Sequence, residues 1–478
     1  MTVMNQMYID GVWRPAADGN ESPIIDPATE QTVGSIPMST IADVDLALAA
    51  ADRGFQQWRA VDAWTRSAKL RSIATWVREN VDEMAALLTE EQGKTLVESK
   101  GEISAAADQF DWYADEARRI YGRVVDGHSR AQRLFVLRQP IGPVAALTPW
   151  NFPVLLVARK IAPALAAGCS IIVKPDAEAP RAVLCLARAC EEAEIEPGVV
   201  NIVTGNPALI SNRLIESDVI RKVSLTGSVP VGKEILRRCA EVMKPASMEL
   251  GGHSPVLVFE DADIEHAAEI VARAKFRNNG QVCIAASRFY VQSSVAERFT
   301  ERFVEVVRSL KLGDGRDPQT DVGPLANRRR RDAIEELVAD AVDKGATVCC
   351  GGRRPQGFDR GFYYEPTVLQ HVRPDMKLMS DEPFGPVAPI STFDTLDDAI
   401  ERANDTPFGL AAYVFTNNLA TAHLASERLE AGMVGVNNLV IATAEAPFGG
   451  NKQSGFGREG GSEWADAYTV TKYINMLL

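Results

Sequence analysis

From about residue 142 the chain alternates between apolar runs of strand length and longer stretches with helical spacing. "GPVAALTP" reads as a strand, and "VLLVARKIAPALAAG" repeats apolar residues at helical spacing until Gly168 stops it. "CSIIVKP" has the composition of a buried strand closed by Pro175, and "PRAVLCLARACEEA" is a helix with Pro180 near its start. "GVVNIVTG", "IRKVSLTG" and "ASMELGG" continue as strands, separated by the helical "NPALISNRLIES" and "VPVGKEILRRCAEV". This order predicts parallel βαβ units and a doubly wound α/β sheet.

A second alternating series runs from "SPVLVFEDAD" through "RFYVQ", helices near 296–310 and 328–344, "AAYVFT" and "GMVGVN". It predicts a second α/β unit. "YGRVVDGHSRAQRLFVLRQPIG", 121–142, reads as a β-hairpin outside both series, and "YTVTKYINMLL" ends the chain as an exposed strand. Two unpaired strand edges leave backbone donors and acceptors open for another subunit.

With 478 residues the chain exceeds one compact core. Its 51 Lys plus Arg against 64 Asp plus Glu give a net charge of −13, which argues against nucleic acid and does not favour an anionic membrane. The one basic block, Arg328–Arg331, reads as a solvated helix start before "DAIEELVADAV". "MTVMNQMYIDGVW" lacks the basic and apolar regions of a secretory signal. The longest apolar stretch is broken by Arg159 and Lys160, so no membrane span is expected. Seven scattered cysteines without C-x-x-C point away from disulfides and structural zinc, and fit reduced thiols in a cytoplasmic enzyme. Cys349 and Cys350 read as strand residues before a Gly-Gly turn.

"FRNNGQVCIAAS", 276–287, carries Cys283 on a polar, glycine-bearing turn, where it suits packing, metal ligation or nucleophilic attack. Three other stretches bear on the choice. "TPWNFP", 148–153, follows a predicted strand; the Asn151 amide suits either an oxyanion donor or a turn before Pro153. "MELGGHSP", 248–255, puts Glu249 at a strand end, where partial burial would raise its pKa toward that of a general base. "LTGSVPVGKEI", 225–235, is strand, Gly-bearing turn and helix, a phosphate-binding arrangement although not G-x-G-x-x-G. Lys174 in "IIVKPD" and Glu382 with Phe384 in "DEPFGP" add a cation, a carboxylate and an aromatic suited to a nucleotide's ribose, phosphate and nicotinamide.

These stretches, in this order, resemble the aldehyde dehydrogenase superfamily over nearly the whole chain: "TPWNFP", "KP", "TGS", "ELGG", "GQVC", "EPFGP" and "PFGGNKQSGFGRE" at 447–459. The resemblance implies an NAD(P)-binding domain over 1–120 and 142–249 and a catalytic domain over 250–450. It also implies an oligomerisation arm from 121–141 and 451–478, with a homodimer or homotetramer. It implies that Cys283 is the thiol that attacks the aldehyde, that Asn151 and the Cys283 backbone N–H form the oxyanion hole, and that Glu249 activates water for thioester hydrolysis. Cofactor positions would be Trp150, Asn151, Lys174, Pro175, Asp176, Ala177, Gly227, Ser228, Gly232, Leu250, Glu382 and Phe384, with no metal. A cysteine hydrolase, pairing Cys283 with His253, would leave these features unexplained. A CoA-acylating relative would not need Glu249, and a non-catalytic protein on this fold should have lost Cys283, Glu249 or Asn151.

Within the family the chain is similar to succinate-semialdehyde and 2-oxoglutarate-semialdehyde dehydrogenases, on "RKIAPALAAGCSIIVKP", "KFRNNGQVC", "NDTPFGLAAY" and "APFGG". The likeness implies that Arg159, eight residues after Asn151, and Arg277, six before Cys283, bind a distal carboxylate, with Thr443 beside the substrate. Ala442 replaces the serine of succinate-semialdehyde enzymes, which leaves a 2-oxoglutarate or glutarate semialdehyde, or a general aldehyde, as alternatives. Ala177, in "KPDA", replaces the carboxylate of NAD-preferring relatives, so the expected cofactor is NADP or NAD, with NADP ahead.

Overall fold

The computed structural model describes residues 5–478; the first four residues, part of the stretch read as lacking a signal, lie outside the described residues. The larger sheet has five parallel strands in the order Val200–Ile202, Ile171–Lys174, Val144–Leu147, Lys222–Thr226, Ala246–Glu249. Antiparallel strands extend it at both ends. The strand Val144–Leu147 sits where the order reverses, and all four of its residues are buried. In an open α/β sheet the crevice beyond the carboxyl ends of the strands at such a reversal is where a ligand fits.

The helix Pro153–Ala167 begins with Pro at its first position and ends at Gly168, whose φ of 90° is the left-handed C-cap that glycine adopts without strain. Its apolar residues join a core with the helices Ala63–Glu79, Val81–Gln92 and Leu96–Glu116. Leu96–Glu116 starts on a capping box in which Thr95 and Glu98 satisfy each other's backbone N–H groups.

The second sheet runs Thr347–Cys350, Thr367–Gln370, Val387–Phe393, Ala286–Gln292, Ser254–Val258, Ala411–Phe415, Met433–Val436, parallel except at the first pair. Its central strands are almost wholly buried, as a sheet covered on both faces requires.

Three expectations need correction. The hairpin Arg123–Asp126 and Gln132–Pro140 and the terminal strand Thr469–Leu477 are not separate edges: they pair antiparallel in one three-stranded sheet. Residues 451–456 do not run with that sheet. Asn451–Lys452 pairs with Phe408–Gly409, and Gly455–Phe456 pairs with Met248 and Glu249. The block Arg328–Arg331 starts the helix Arg328–Asp343, but it is not wholly solvated. Arg331 is buried and donates to the Gly361 carbonyl, and Arg330 donates to that of Pro383. Among the described residues no helix is long and apolar enough to cross a membrane.

Candidate active site

Four strands of the larger sheet deliver site residues at their carboxyl ends. The loop after Val144–Leu147 carries Trp150 and Asn151, Ile171–Lys174 ends on Lys174, Lys222–Thr226 runs into Gly227 and Ser228, and Ala246–Glu249 ends on Glu249. A cleft of about 700 Å³ is lined by Trp150, Lys174, Asp176, Ala177, Gly227 and Ser228, among others. Lys174 is buried, and among the described residues its ammonium has no hydrogen bond or ion pair; burial lowers its pKa. Ser228 is the N-cap of the helix Val229–Glu241 and its side chain makes no cap bond, so the N–H groups there are open to an anion. A free cation, an uncapped helix start and a tryptophan in one cleft fit a dinucleotide.

Beyond Trp150, Phe384 meets its ring edge-on at 5.5 Å. Its φ of 45° is in the left-handed region, uncommon for an aromatic residue. Glu382 is half-buried, accepts a hydrogen bond from the Gly252 N–H at 3.2 Å, and is pushed up to about 7 by burial. Six expected cofactor residues, Asn151, Pro175, Gly232, Leu250, Glu382 and Phe384, are not among those that line the cleft. Pro175 is buried at the strand end, and a Cβ on Gly232 would stand 2.6 Å from the Leu250 side chain, so that glycine sets helix–strand contact. Leu250 is buried in that contact.

Cys283 lies between the turn Arg277–Gly280 and the strand Ala286–Gln292. Asn278 and Asn279 adopt φ of 48° and 53°, a conformation asparagine tolerates better than most residues. The thiol is half-buried and pushed up to about 12, first by burial; Glu382 and Glu249 raise it further, while the Arg159 charge pulls it down. Asn151 is buried and donates one amide hydrogen to the Gln281 carbonyl at 3.2 Å, two residues before the thiol; its second amide hydrogen is left for another acceptor.

Glu249 is buried with neither carboxylate oxygen hydrogen-bonded among the described residues. Burial raises its pKa well above the usual carboxyl range and Glu459 adds to this, against the opposing charges of Lys160, Arg159 and Arg458. The Lys160 ammonium is paired with Glu459, and both are buried. Sequence reasoning missed this pair. Lys160 looked like an interruption of an apolar run, and its partner lies 299 residues away.

Arg159 is also buried; its guanidinium lies over the Phe448 ring at 4.4 Å and makes no hydrogen bond or ion pair among the described residues. Arg277 is exposed, lies 5.4 Å from the Phe152 ring, and lines a separate cavity of about 370 Å³. Val282 and Ile284, on either side of Cys283, line that cavity with Tyr413, Leu439 and Val440. Thr443 is half-buried in the loop that follows. Among the described residues no group of three or more His, Cys, Asp and Glu could hold a metal ion.

The family model described as "Aldehyde dehydrogenase family" matches residues 13–474. The succinate-semialdehyde dehydrogenase [NADP(+)] of Escherichia coli is 42% identical over 469 residues, 98% of this chain and 97% of that protein. The glutarate-semialdehyde dehydrogenase of Pseudomonas putida is equally identical over the same shares. The crystal structure of betaine aldehyde dehydrogenase from Staphylococcus aureus in complex with NAD+ matches with a TM-score of 0.97 at 34% identity, over 99% of this chain and 95% of that one. With a dinucleotide-sized cleft, and a thiol on which a buried carboxyl acts, these matches lead to one conclusion: the chain belongs to the aldehyde dehydrogenase family and is an NAD(P)-dependent oxidoreductase of aldehydes.

Proposed function

We propose that the substrate is an aldehyde with a carboxylate at its far end, succinate semialdehyde first and its longer homologue glutarate semialdehyde second. The observation that carries this reading is Arg159. A buried guanidinium without a counter-ion is costly unless an anion arrives to pair with it. Its charge acts on both Cys283 and Glu249, so an anion held there lies close to the reacting groups. In this reading Arg277 supplies a second cation and Thr443 a hydroxyl. Two relatives named for semialdehydes support the same class.

In this reading Cys283 Sγ gives up its proton to solvent water and attacks the aldehyde carbon. A C–S bond forms and the carbonyl electron pair moves to oxygen. The free Asn151 N–H and the Cys283 backbone N–H meet that oxygen. Trp150, Lys174, Asp176, Ala177, Gly227, Ser228, Glu382 and Phe384 would hold the dinucleotide, whose nicotinamide, when bound, accepts the hydride from the substrate carbon. Cys283 is then acylated. Glu249, once deprotonated, takes a proton from water as the oxygen attacks the thioester; the C–S bond breaks, the acid leaves and the thiol is restored.

NADP is the preferred dinucleotide in this reading, because Ala177 presents no carboxylate to the cleft. Glu178 is engaged by Asn327 at 3.0 Å and Arg329 at 3.4 Å. Seven cysteines, with no disulfide shown among the described residues, suit a reducing compartment, the cytoplasm. The test is a panel of succinic, glutaric and 2-oxoglutaric semialdehydes, hexanal and betaine aldehyde, each with NAD and NADP. The reading expects kcat/KM to be highest for the carboxylated aldehydes; equal or better turnover of hexanal or betaine aldehyde would overturn it.

A further inference from the structure

Lys94 and Glu102 belong to none of the motifs above, yet both are fully buried as an ion pair, Nζ to Oε2 at 2.5 Å. Lys94 sits in the connector between the helices Val81–Gln92 and Leu96–Glu116, with its ammonium 4.0 Å from the centre of the Phe152 ring. The same ammonium donates to the backbone carbonyl of Asn151 at 2.7 Å. The other Glu102 oxygen accepts the N–H groups of Val154 and Leu155 at 2.9 and 3.2 Å. Those groups open the helix Pro153–Ala167, whose N-cap Phe152 has no side chain able to cap it. Glu102 therefore caps the helix from outside, while Lys94 fixes the residue just before its N-cap.

The stretch 92–102 also holds the thiol loop. Asn278 N–H donates to Glu98 Oε1 at 2.6 Å, Asn278 Oδ1 accepts from Gln92 Nε2 at 3.0 Å, and Asn278 Nδ2 donates to the Asn151 carbonyl at 2.9 Å. The loops carrying Asn151 and Cys283 are thus clamped by one stretch of chain, none of whose residues lines the nucleotide-sized cleft. A buried ion pair is a poor stabiliser compared with an apolar pair of the same volume, so its presence here calls for another reason.

We infer that the Lys94–Glu102 pair positions the oxyanion donor. It holds the Asn151 peptide so that the amide hydrogen not used by Gln281 stays directed to the substrate oxygen beside Cys283. Both are positioning residues, and the inference rests on the proposed role of Asn151 in the oxyanion hole. A misplacement of about 1 Å in such a group costs on the order of a hundredfold in rate.

The test is a cycle of kcat measurements on the full chain with saturating succinate semialdehyde and NADP. Lys94→Met and Glu102→Gln are made singly, and each is repeated in an Asn151→Ala background. Each single substitution should lower kcat about ten- to a hundredfold, with the KM for NADP unchanged. In the Asn151→Ala background each should cost under about threefold more, because the group they position is gone. Full additivity there would overturn the proposal, as would a lowered thermal midpoint with unchanged kcat. A wild-type kcat in Asn151→Ala alone would instead remove the oxyanion role, and the proposal with it. If Lys94→Met does not fold, Glu102→Gln carries the cycle, since its amide oxygen can still accept from Val154 and Leu155.

Discussion

Burial disfavours the charged forms of both reacting groups: the Cys283 thiol is pushed up to about 12 and the Glu249 carboxyl is raised well above its usual range. Turnover should therefore rise with pH above neutrality, which a pH profile of kcat/KM checks. Cys283→Ala should abolish aldehyde oxidation while cofactor affinity, read by fluorescence titration, stays near that of wild type; retained turnover would remove the thiol from the mechanism. Glu249→Gln should still acylate, so stopped flow should show a burst of NAD(P)H before a slow steady state. The same substitution has a stability signature. The folded-state pKa of Glu249 is raised, so its stabilising share is present below the ordinary carboxyl range and is lost as pH rises through the folded value. Relative to wild type, Glu249→Gln should gain thermal midpoint as pH rises above the ordinary carboxyl range; a difference that stays constant with pH would contradict the raised pKa. Glu249 was legible in sequence because "MELGG" marks a strand end. The Lys160–Glu459 pair beside it was not, because pairing over such separations leaves no local pattern.

The elements were legible where local chemistry punctuates them. Pro153 and Gly168 bracket one helix, and alternating apolar runs mark the parallel strands. The cleft follows from the strand order, since Trp150, Lys174 and Gly227 all stand at carboxyl ends. Glycine in a strand–turn–helix suits both phosphate approach and close packing, and at Gly232 the structure sets the Leu250 side chain where a Cβ would stand. Arg330 and Arg331 were misread as solvated because a charge run shows no partner in sequence; the carbonyls of Pro383 and Gly361 supply them. At this scale Ala177→Glu should lower the NADP/NAD ratio of kcat/KM by setting a carboxylate against the 2′-phosphate. An unchanged ratio would mean that position 177 does not face the ribose.

Across the whole molecule, the two α/β sheets were foreseen from alternation, whereas the association of the hairpin with the terminal strand was implied only by the family resemblance and not by local pattern, which read them as two unpaired edges. Residues 132–140 and 469–477 are about 340 positions apart, and their pairing depends on the whole fold. The resulting three-stranded sheet leaves Val124, Tyr473 and Leu477 exposed and has open edges, which fits the proposed dimer or tetramer. Deleting residues 470–478 should shift sedimentation toward the monomer; an unchanged mass would place the interface elsewhere. The central claim is that a distal carboxylate is read by the buried, unpaired Arg159. It is tested most directly by kcat/KM of Arg159→Ala for succinate semialdehyde and for butanal, its neutral equal in length. A hydrogen bond to a charged group contributes about 1.5–3 kcal/mol, so the semialdehyde should lose about ten- to a hundredfold while butanal loses little. Equal losses for the two aldehydes would assign Arg159 to the fold and contradict the semialdehyde reading.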